Sequence, residues 1–314
     1  MTLTTDGAHR ISLLYEAAKA HGSLVSVDDL VPLMPGHVSE REIENAIRSH
    51  SVLGSRFTLE SGYVVEKDHG GSLGELLSVE RNSRTRASVN LRHAYDFVPL
   101  LESSRFVVVG VSGSTSYGSA SRSRDLDLFC VAPSGAMWIS LSKSLLLSRA
   151  FSLTRRRGPP ICLSCIMDED YARTTFSADQ GALFARDALE TIVLIGEPAY
   201  CKLLRDARWI SDIYPAAFTK NAGSSAEPGS RQELSTWAKV LNQFLFTLVG
   251  TYIEAKSLLL NRRLAGRGSA DSNFALRKGV DHLIYESARY AKLRNHYSAV
   301  SRVIGAGPTV EGVA

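Results

Sequence analysis

Cysteine and uninterrupted apolar runs are both scarce in this sequence. Four cysteines in 314 residues are too few for a disulfide framework, so a reducing compartment, the cytoplasm, is the expectation. The opening residues MTLTTDGAHR lack an apolar core, so no signal peptide is expected. The most apolar run, FLFTLVGTYIEAKSLLL, carries Glu254 and Lys256. A bilayer would disfavour both charges, so the run reads as a buried helix and no membrane partner is expected. Internal repeats of useful length are absent. Excess charge is small: +4, with a pI near 8.9, permits a nucleotide or other acidic partner without requiring one.

What remains is 44% hydrophobic and 22% charged, the balance of a globular protein long enough for two or three modules. Residues 1–70 form the first. HRISLLYEAAKAHG has apolar residues at helical spacing, VSVDDLVPLM is a short second helix, and SEREIENAIRSH opens with Ser39 and Glu42 in capping-box spacing. That third helix should bury Ile43, Ala46 and Ile47. The strands SRFTLE and YVVEK follow, joined at Ser61–Gly62. Three helices and a hairpin in this order resemble a winged helix-turn-helix domain, which implies DNA binding. A protein-contact or dimerisation module is the competing reading, because Glu40, Glu42 and Glu44 on the third helix oppose phosphate.

Residues 71–105 read as a linker, hinged at Gly70–Gly71 and ERNSRTR, and then a helix, SVNLRHAYDFVPLLES. A core spans 106–220. RFVVVGV is a strand apolar enough to be covered on both faces, and DLDLFCVA is a second. The helix SLSKSLLLSRAF, the basic loop TRRRGPP with Arg155, Arg156 and Arg157, and the strand ICLSCIM come next. DQGALFARDALETIVL reads as a helix ending near Gly196. NAGSSAEPGS is linker-like. Residues 231–305 read as a helical module containing ELSTWAKVLNQFLFTLVGTYIEAKSLLLNRRL and RKGVDHLIYESARYAKLRNHYSAVSRVI, with 306–314 as a tail.

The chemistry concentrates in VSGSTSYGSASRSRDLDLF, Val111 to Phe129. On a strand, Asp125 and Asp127 share a face while Leu126 and Leu128 turn to the core. Two neighbouring carboxylates repel, and a divalent cation relieves that repulsion. Mg²⁺ takes hard oxygen ligands, often one or two carboxylates with substrate phosphates. Gly113 and Ser114 stand where a short helix can begin, so the backbone can approach a phosphate and the Ser114 hydroxyl can bond one of its oxygens. A phosphate cradle beside a metal-binding pair is the layout of phosphoryl or nucleotidyl transfer.

The stretch resembles the nucleotidyltransferase superfamily of DNA polymerase beta type, whose pattern is matched by Gly113, Ser114, Gly118, Asp125 and Asp127. The resemblance covers roughly residues 86–220. Arg124 stands where many members have serine. It implies an α+β fold, with a mixed sheet flanked by helices as the nucleotidyltransferase core. It also implies Mg²⁺ or Mn²⁺ on Asp125 and Asp127, and a nucleoside triphosphate held at Gly113 and Ser114. The reaction implied is transfer of NMP to a hydroxyl with release of pyrophosphate. The acceptor stays open between an RNA end such as tRNA, a protein and a small molecule.

Members usually add a third acid on a later strand. Here ICLSCIM offers only Cys162, Ser164 and Cys165, so Asp168, ahead of Glu169 and Asp170, is the candidate catalytic and metal ligand. A charged strand exit explains it equally well. Similar enzymes draw a lysine and an aromatic from the helical module, which makes Lys239, Lys256 and Tyr252 the candidates, against plain surface charge. Tyr285, Tyr290 and Tyr297, interleaved with Arg289, Lys292 and Arg294, suit either a nucleotide cradle or helix packing. Cys162 and Cys165, on opposite faces by simple alternation, read as buried free thiols. Two alternatives to transfer remain: a nucleotide-sensing winged-helix regulator, and a catalytically degenerate, antitoxin-like binding protein.

Overall fold

The computed structural model describes residues 5–21, 23–34, 38–68, 72–120, 125–154, 158–223, 235–265 and 274–305. The basic loop at Arg155–Arg157, Arg124, most of the linker-like segment and the tail lie outside them.

The N-terminal part runs α1 (Thr5–His21), β1 (Val25–Ser26), α2 (Val27–Leu30), α3 (Glu40–Ser49), α4 (Ser51–Arg56), β2 (Phe57–Glu60) and β3 (Tyr63–Glu66). Ser39 and Glu42 start α3 as a reciprocal cap, the Ser39 N–H donating to Glu42 Oε2 at 2.9 Å. Ile43, Ala46 and Ile47 are buried, as their spacing requires. The three strands form an antiparallel sheet in the order β1-β3-β2. Ser61 and Gly62 both have positive φ, 52° and 81°, the twist that joins tightly paired strands.

α5 (Leu73–Leu101) is continuous through ERNSRTR, so the expected hinge there is incorrect. Its buried positions, Glu80, Ser83, Ala87, Asn90, Ala94, Phe97 and Leu101, repeat every three or four residues. Several of them are polar, which hides the stripe from a hydrophobicity pattern. Glu80 is held by Arg84 at 2.9 Å.

Next come β4 (Val108–Val111), α6 (Gly113–Ser116), β5 (Leu126–Ala132), α7 (Met137–Thr154), β6 (Ile161–Asp168), α8 (Glu169–Ser177) and α9 (Ala182–Glu190). β7 (Ile192–Ile195), α10 (Glu197–Asp206), α11 (Trp209–Ile213), α12 (Pro215–Asn221) and α13 (Thr236–Ala265) follow. The last elements are β8 (Phe274–Lys278), β9 (His282–Ser287) and α14 (Ala288–Gly305). The fold is α+β with a mixed sheet flanked by helices, in strand order β7-β4-β5-β6-β9-β8. Among the described strands of this sheet only β5 and β6 run parallel; the other pairings are antiparallel.

Two segments depart from the helices expected of them. Residues 192–195 are β7, whose β-branched run pairs with β4. Residues 274–287 form a hairpin closed by the Gly279 N–H on the His282 carbonyl at 2.8 Å. That hairpin extends the sheet from β6, so the C-terminal segment is not helical throughout.

Strand alternation divides the core. Val109, Val111, Leu126, Leu128 and Cys130 pack with Phe97, Trp138, Leu141 and Ile253, under α5, α7 and α13. Val108, Phe129, Val131 and Met167 face Phe176, Ala185, Tyr200 and Tyr297, under α8, α9, α10 and α14. The second cluster continues without a break into Ile11, Leu14, Ile43 and Phe57 of the N-terminal part.

Candidate active site

β4 is four buried residues, and its pairing with β5 sets Val111 opposite Leu128. The chain leaves β4 at Ser112, whose N–H donates to the Asp127 carbonyl at 3.1 Å. It then turns through Gly113 at φ 66° into the single helical turn α6. Glycine is favoured twice over at this point. The left-handed conformation costs a side chain about 1–2 kcal/mol, and a methyl group there would lie 3.1 Å from Asp127 Oδ2. The backbone of the Gly-Ser turn therefore lies directly against the second aspartate. α5 supports the turn from behind, with Asn90 Nδ2 donating to Thr115 Oγ1 at 3.3 Å.

Asp125 is exposed and Asp127 half-buried. Burial raises the Asp127 carboxyl to about 6, with the Asp125 charge adding to it, while hydrogen bonds from Ser164 and Cys162 pull the other way. Burial also raises Asp125. Burial and the repulsion between the two acids both oppose the charged form of Asp127, and a cation beside it would relieve both.

The parallel register explains which β6 residues meet them. Asp127 is level with Cys162 and Phe129 with Cys165, a one-residue bulge between the pairs. The bulge brings both Cys162 and Ser164 to Asp127. It also puts Cys162 and Cys165 on one side of the sheet, contrary to simple alternation. Both are free thiols, and burial raises each to about 12, which leaves them inert.

Asp168 does not reach this site. It is level with Ala132, at the far end of β5, about 16 Å from Asp127 at roughly 3.3 Å per residue. Its oxygens are committed there: Oδ1 accepts from the Tyr171 N–H at 3.0 Å and caps α8, and Oδ2 accepts from the Gly135 N–H at 3.0 Å. The charged-strand-exit reading is the correct one. Among the described residues no group of three His, Cys, Asp or Glu side chains is placed to hold a metal ion, so Asp125 and Asp127 stand without a third carboxylate.

Of the two lysines, Lys256 lies at the site end of α13, where its charge acts on Cys162. Lys239 is about 25 Å away along the same helix at 1.5 Å per residue, so the two do not share a site. Tyr252 is 63% exposed one turn before Lys256. Tyr285 hydrogen-bonds Ser257. Tyr290 and Tyr297 are engaged inside the protein, with Asp187 and Arg186 respectively. A nucleotide cradle made of these tyrosines is therefore not present, and helix packing accounts for the last two.

One constellation was not anticipated. The Tyr117 hydroxyl, one residue beyond α6, donates to Asp187 Oδ1, and the Arg186 guanidinium lies 4.9 Å from the Tyr117 ring centre. Burial raises Asp187 to about 6, against the hydrogen bonds from Tyr117 and Tyr290. The available signal was Arg-Asp set among the apolar residues of ALFARDALE. A cavity of about 1280 Å³ opens at the opposite end of the sheet, lined by Arg105, Lys143, Arg173 and Lys202 among others. Asp125 and Asp127 are not part of it. No helix among the described residues is long and apolar enough to cross a membrane. Comparison with family models, curated proteins and solved structures found no match.

Proposed function

We propose that this protein is a metal-dependent nucleotidyltransferase that moves NMP from a nucleoside triphosphate to a hydroxyl acceptor and releases pyrophosphate. The observation that carries the reading is the approach of the Gly113 backbone to the Asp127 carboxylate. A phosphate seated on the Gly113–Ser114 turn meets the first N–H groups of α6, which have no intrahelical acceptor, immediately beside two acids. Asp125 and Asp127 fit one Mg²⁺ or Mn²⁺, because such ions take one or two carboxylates and complete their shell with water and substrate phosphate. When bound, the ion supplies neutralisation of the phosphate charge that develops in transfer. Ser164 and Cys162 fix the orientation of Asp127, and Lys256 adds positive charge at the same end.

Ser164 and Cys162 occupy the place of a third acid, so no described carboxylate is available to take the acceptor's proton and transfer is expected to be slow. The acceptor class is an RNA end such as tRNA, a protein hydroxyl or a small molecule. The same observation favours a second reading, binding of nucleotide without transfer. The N-terminal element order, with β1 pairing β3, supports a winged-helix unit and hence a nucleotide-sensing regulator or an antitoxin-like binding protein.

The test is incubation of the full chain with each labelled nucleoside triphosphate, Mg²⁺ and total RNA, beside calorimetry of Mg²⁺ and ATP. Label transfer that disappears in Asp125→Ala with Asp127→Ala supports transfer. Binding heat without label supports sensing. Undiminished label in the double variant overturns the site, and absence of both heat and label overturns both readings.

A further inference from the structure

α13 is apolar on two opposite faces. One, with Leu245, Phe246, Val249 and Ile253, lies on α7 and the sheet. The other presents Trp237, Leu241, Phe244, Leu248, Tyr252 and Leu259, from 46% to 83% exposed. From Trp237 the seam advances by alternating steps of four and three residues to Leu248, the spacing of helices that pair with one another. No charged residue stands among these six. A helix apolar all round is stable when covered on both sides, and no described element covers the second face.

We propose that this face is covered by the same face of a second copy, α13 packing antiparallel on α13 about a two-fold axis at Leu248. The register is what selects this occupant. With Leu248 opposite itself, Phe244 meets Tyr252, Leu241 meets Ala255, and Trp237 meets Leu259. Each pair recurs on the other side of the axis, as an isologous interface requires. Large residues meet smaller ones, and the one aromatic pair is matched in size. Parallel pairing would instead stack Trp237 on Trp237 and leave Ala255 facing Ala255, crowded at one end and hollow at the other.

The area is sufficient. Trp237, Phe244 and Tyr252 are 60% to 83% exposed and each aromatic buries about 150–250 Å² when fully covered, so with Leu241, Leu248 and Leu259 the face is of the order of the roughly 800 Å² that each partner gives a standard-size interface. The seam runs through Tyr252, one turn from Lys256 at the candidate active site.

Sedimentation equilibrium of the full chain at micromolar concentration is expected to give twice the 34.2 kDa chain mass. Leu248→Glu should weaken the dimer at least about 100-fold, with unchanged circular dichroism, because the substitution meets itself on the axis. Leu248→Cys should form a disulfide-linked dimer under mild oxidation. Leu146→Cys, at a position 73% exposed on α7, should not. A monomer at 100-fold higher concentration overturns the proposal and assigns the face to another segment of the chain or to another protein. So does a dimer that Leu248→Glu leaves intact, or cross-linking through Leu146→Cys and not Leu248→Cys.

Discussion

Gly113→Ala separates the two demands that the turn makes on its first residue. An alanine at φ 66° bears about 1–2 kcal/mol of left-handed strain wherever it sits. Its methyl group would also stand 3.1 Å from Asp127 Oδ2, so the carboxylate must retreat by a few tenths of an ångström or the turn must open. Gly62→Ala is the control. Its φ is 81°, and nothing lies within 4 Å of the added carbon, so it carries strain alone. Urea unfolding should therefore show Gly62→Ala losing about 1–2 kcal/mol and Gly113→Ala about 1 kcal/mol more, with unchanged m-values. Nucleotide labelling should be intact in Gly62→Ala and at least about tenfold lower in Gly113→Ala, since a displaced Asp127 misplaces any cation it holds. Equal stability losses and equal labelling in the two variants would refute the claim that backbone and carboxylate are in functional contact.

Asp127→Asn should raise stability in metal-free buffer at pH 7.5. Burial holds the native carboxyl up to about 6 against an ordinary value of 3.8, so between those values the folded protein keeps a proton that the unfolded chain has released. The stability which that proton contributes is lost as pH rises through 6. At about 1.4 kcal/mol per unit, discounted for partial exposure, the gain is about 1–3 kcal/mol. It should vanish by pH 4, and a gain that persists there would contradict the cause assigned. Asp168→Ala removes the α8 cap and the acceptor for Gly135, so chemical unfolding should register a loss of about 1–3 kcal/mol. Label transfer per folded molecule should be unchanged, and a tenfold fall would return Asp168 to the site. Asn242→Ala orphans the Trp138 and Ile139 N–H groups, which Asn242 Oδ1 accepts at 2.8 and 3.4 Å. A loss of about 1–3 kcal/mol is expected by the same assay, and a neutral result would show that water replaces the amide.

The parts legible from sequence are those set by near neighbours. The Ser39–Glu42 cap, the buried Ile43, Ala46 and Ile47 of α3 and the four buried residues of β4 all follow from spacing along one segment. The failures share a different cause, which is a partner remote in sequence. β7 forms because β4 has a free side, and the β8–β9 hairpin because β6 does; neither fact is written in IVLI or HLIYES. The first half of α5 escaped because its contact positions include Glu80 and Ser83, which only tertiary partners make tolerable. The error over Asp168 was one of direction. β5 and β6 run parallel, so an acid at the start of β5 is level with the start of β6, where Cys162 and Ser164 stand, and never with its end.

Burial also changes what the net charge of +4 means. Arg10 is 1% exposed, bonded to the carbonyls of Leu33 and Ile213 and set 5.1 Å from the Tyr214 ring centre. Arg186 lies between Tyr117 and Tyr297. Arg56 is bound to Glu16 and Glu66, Arg84 to Glu80, and Arg294 to Glu286. These cations serve the interior or are neutralised in place, so they do not draw a polyanion to the surface. On α3, Glu42 is committed to its cap and Glu44 is 3.6 Å from Arg48, which leaves that helix little positive charge for phosphate. For the proposed transfer, these arginines and α3 therefore contribute little of the broad electrostatic attraction that gives nucleic-acid binding its steep salt dependence. The proposed transfer then draws acceptor recognition from the immediate surroundings of Asp127 and Lys256, beside the Gly113 turn.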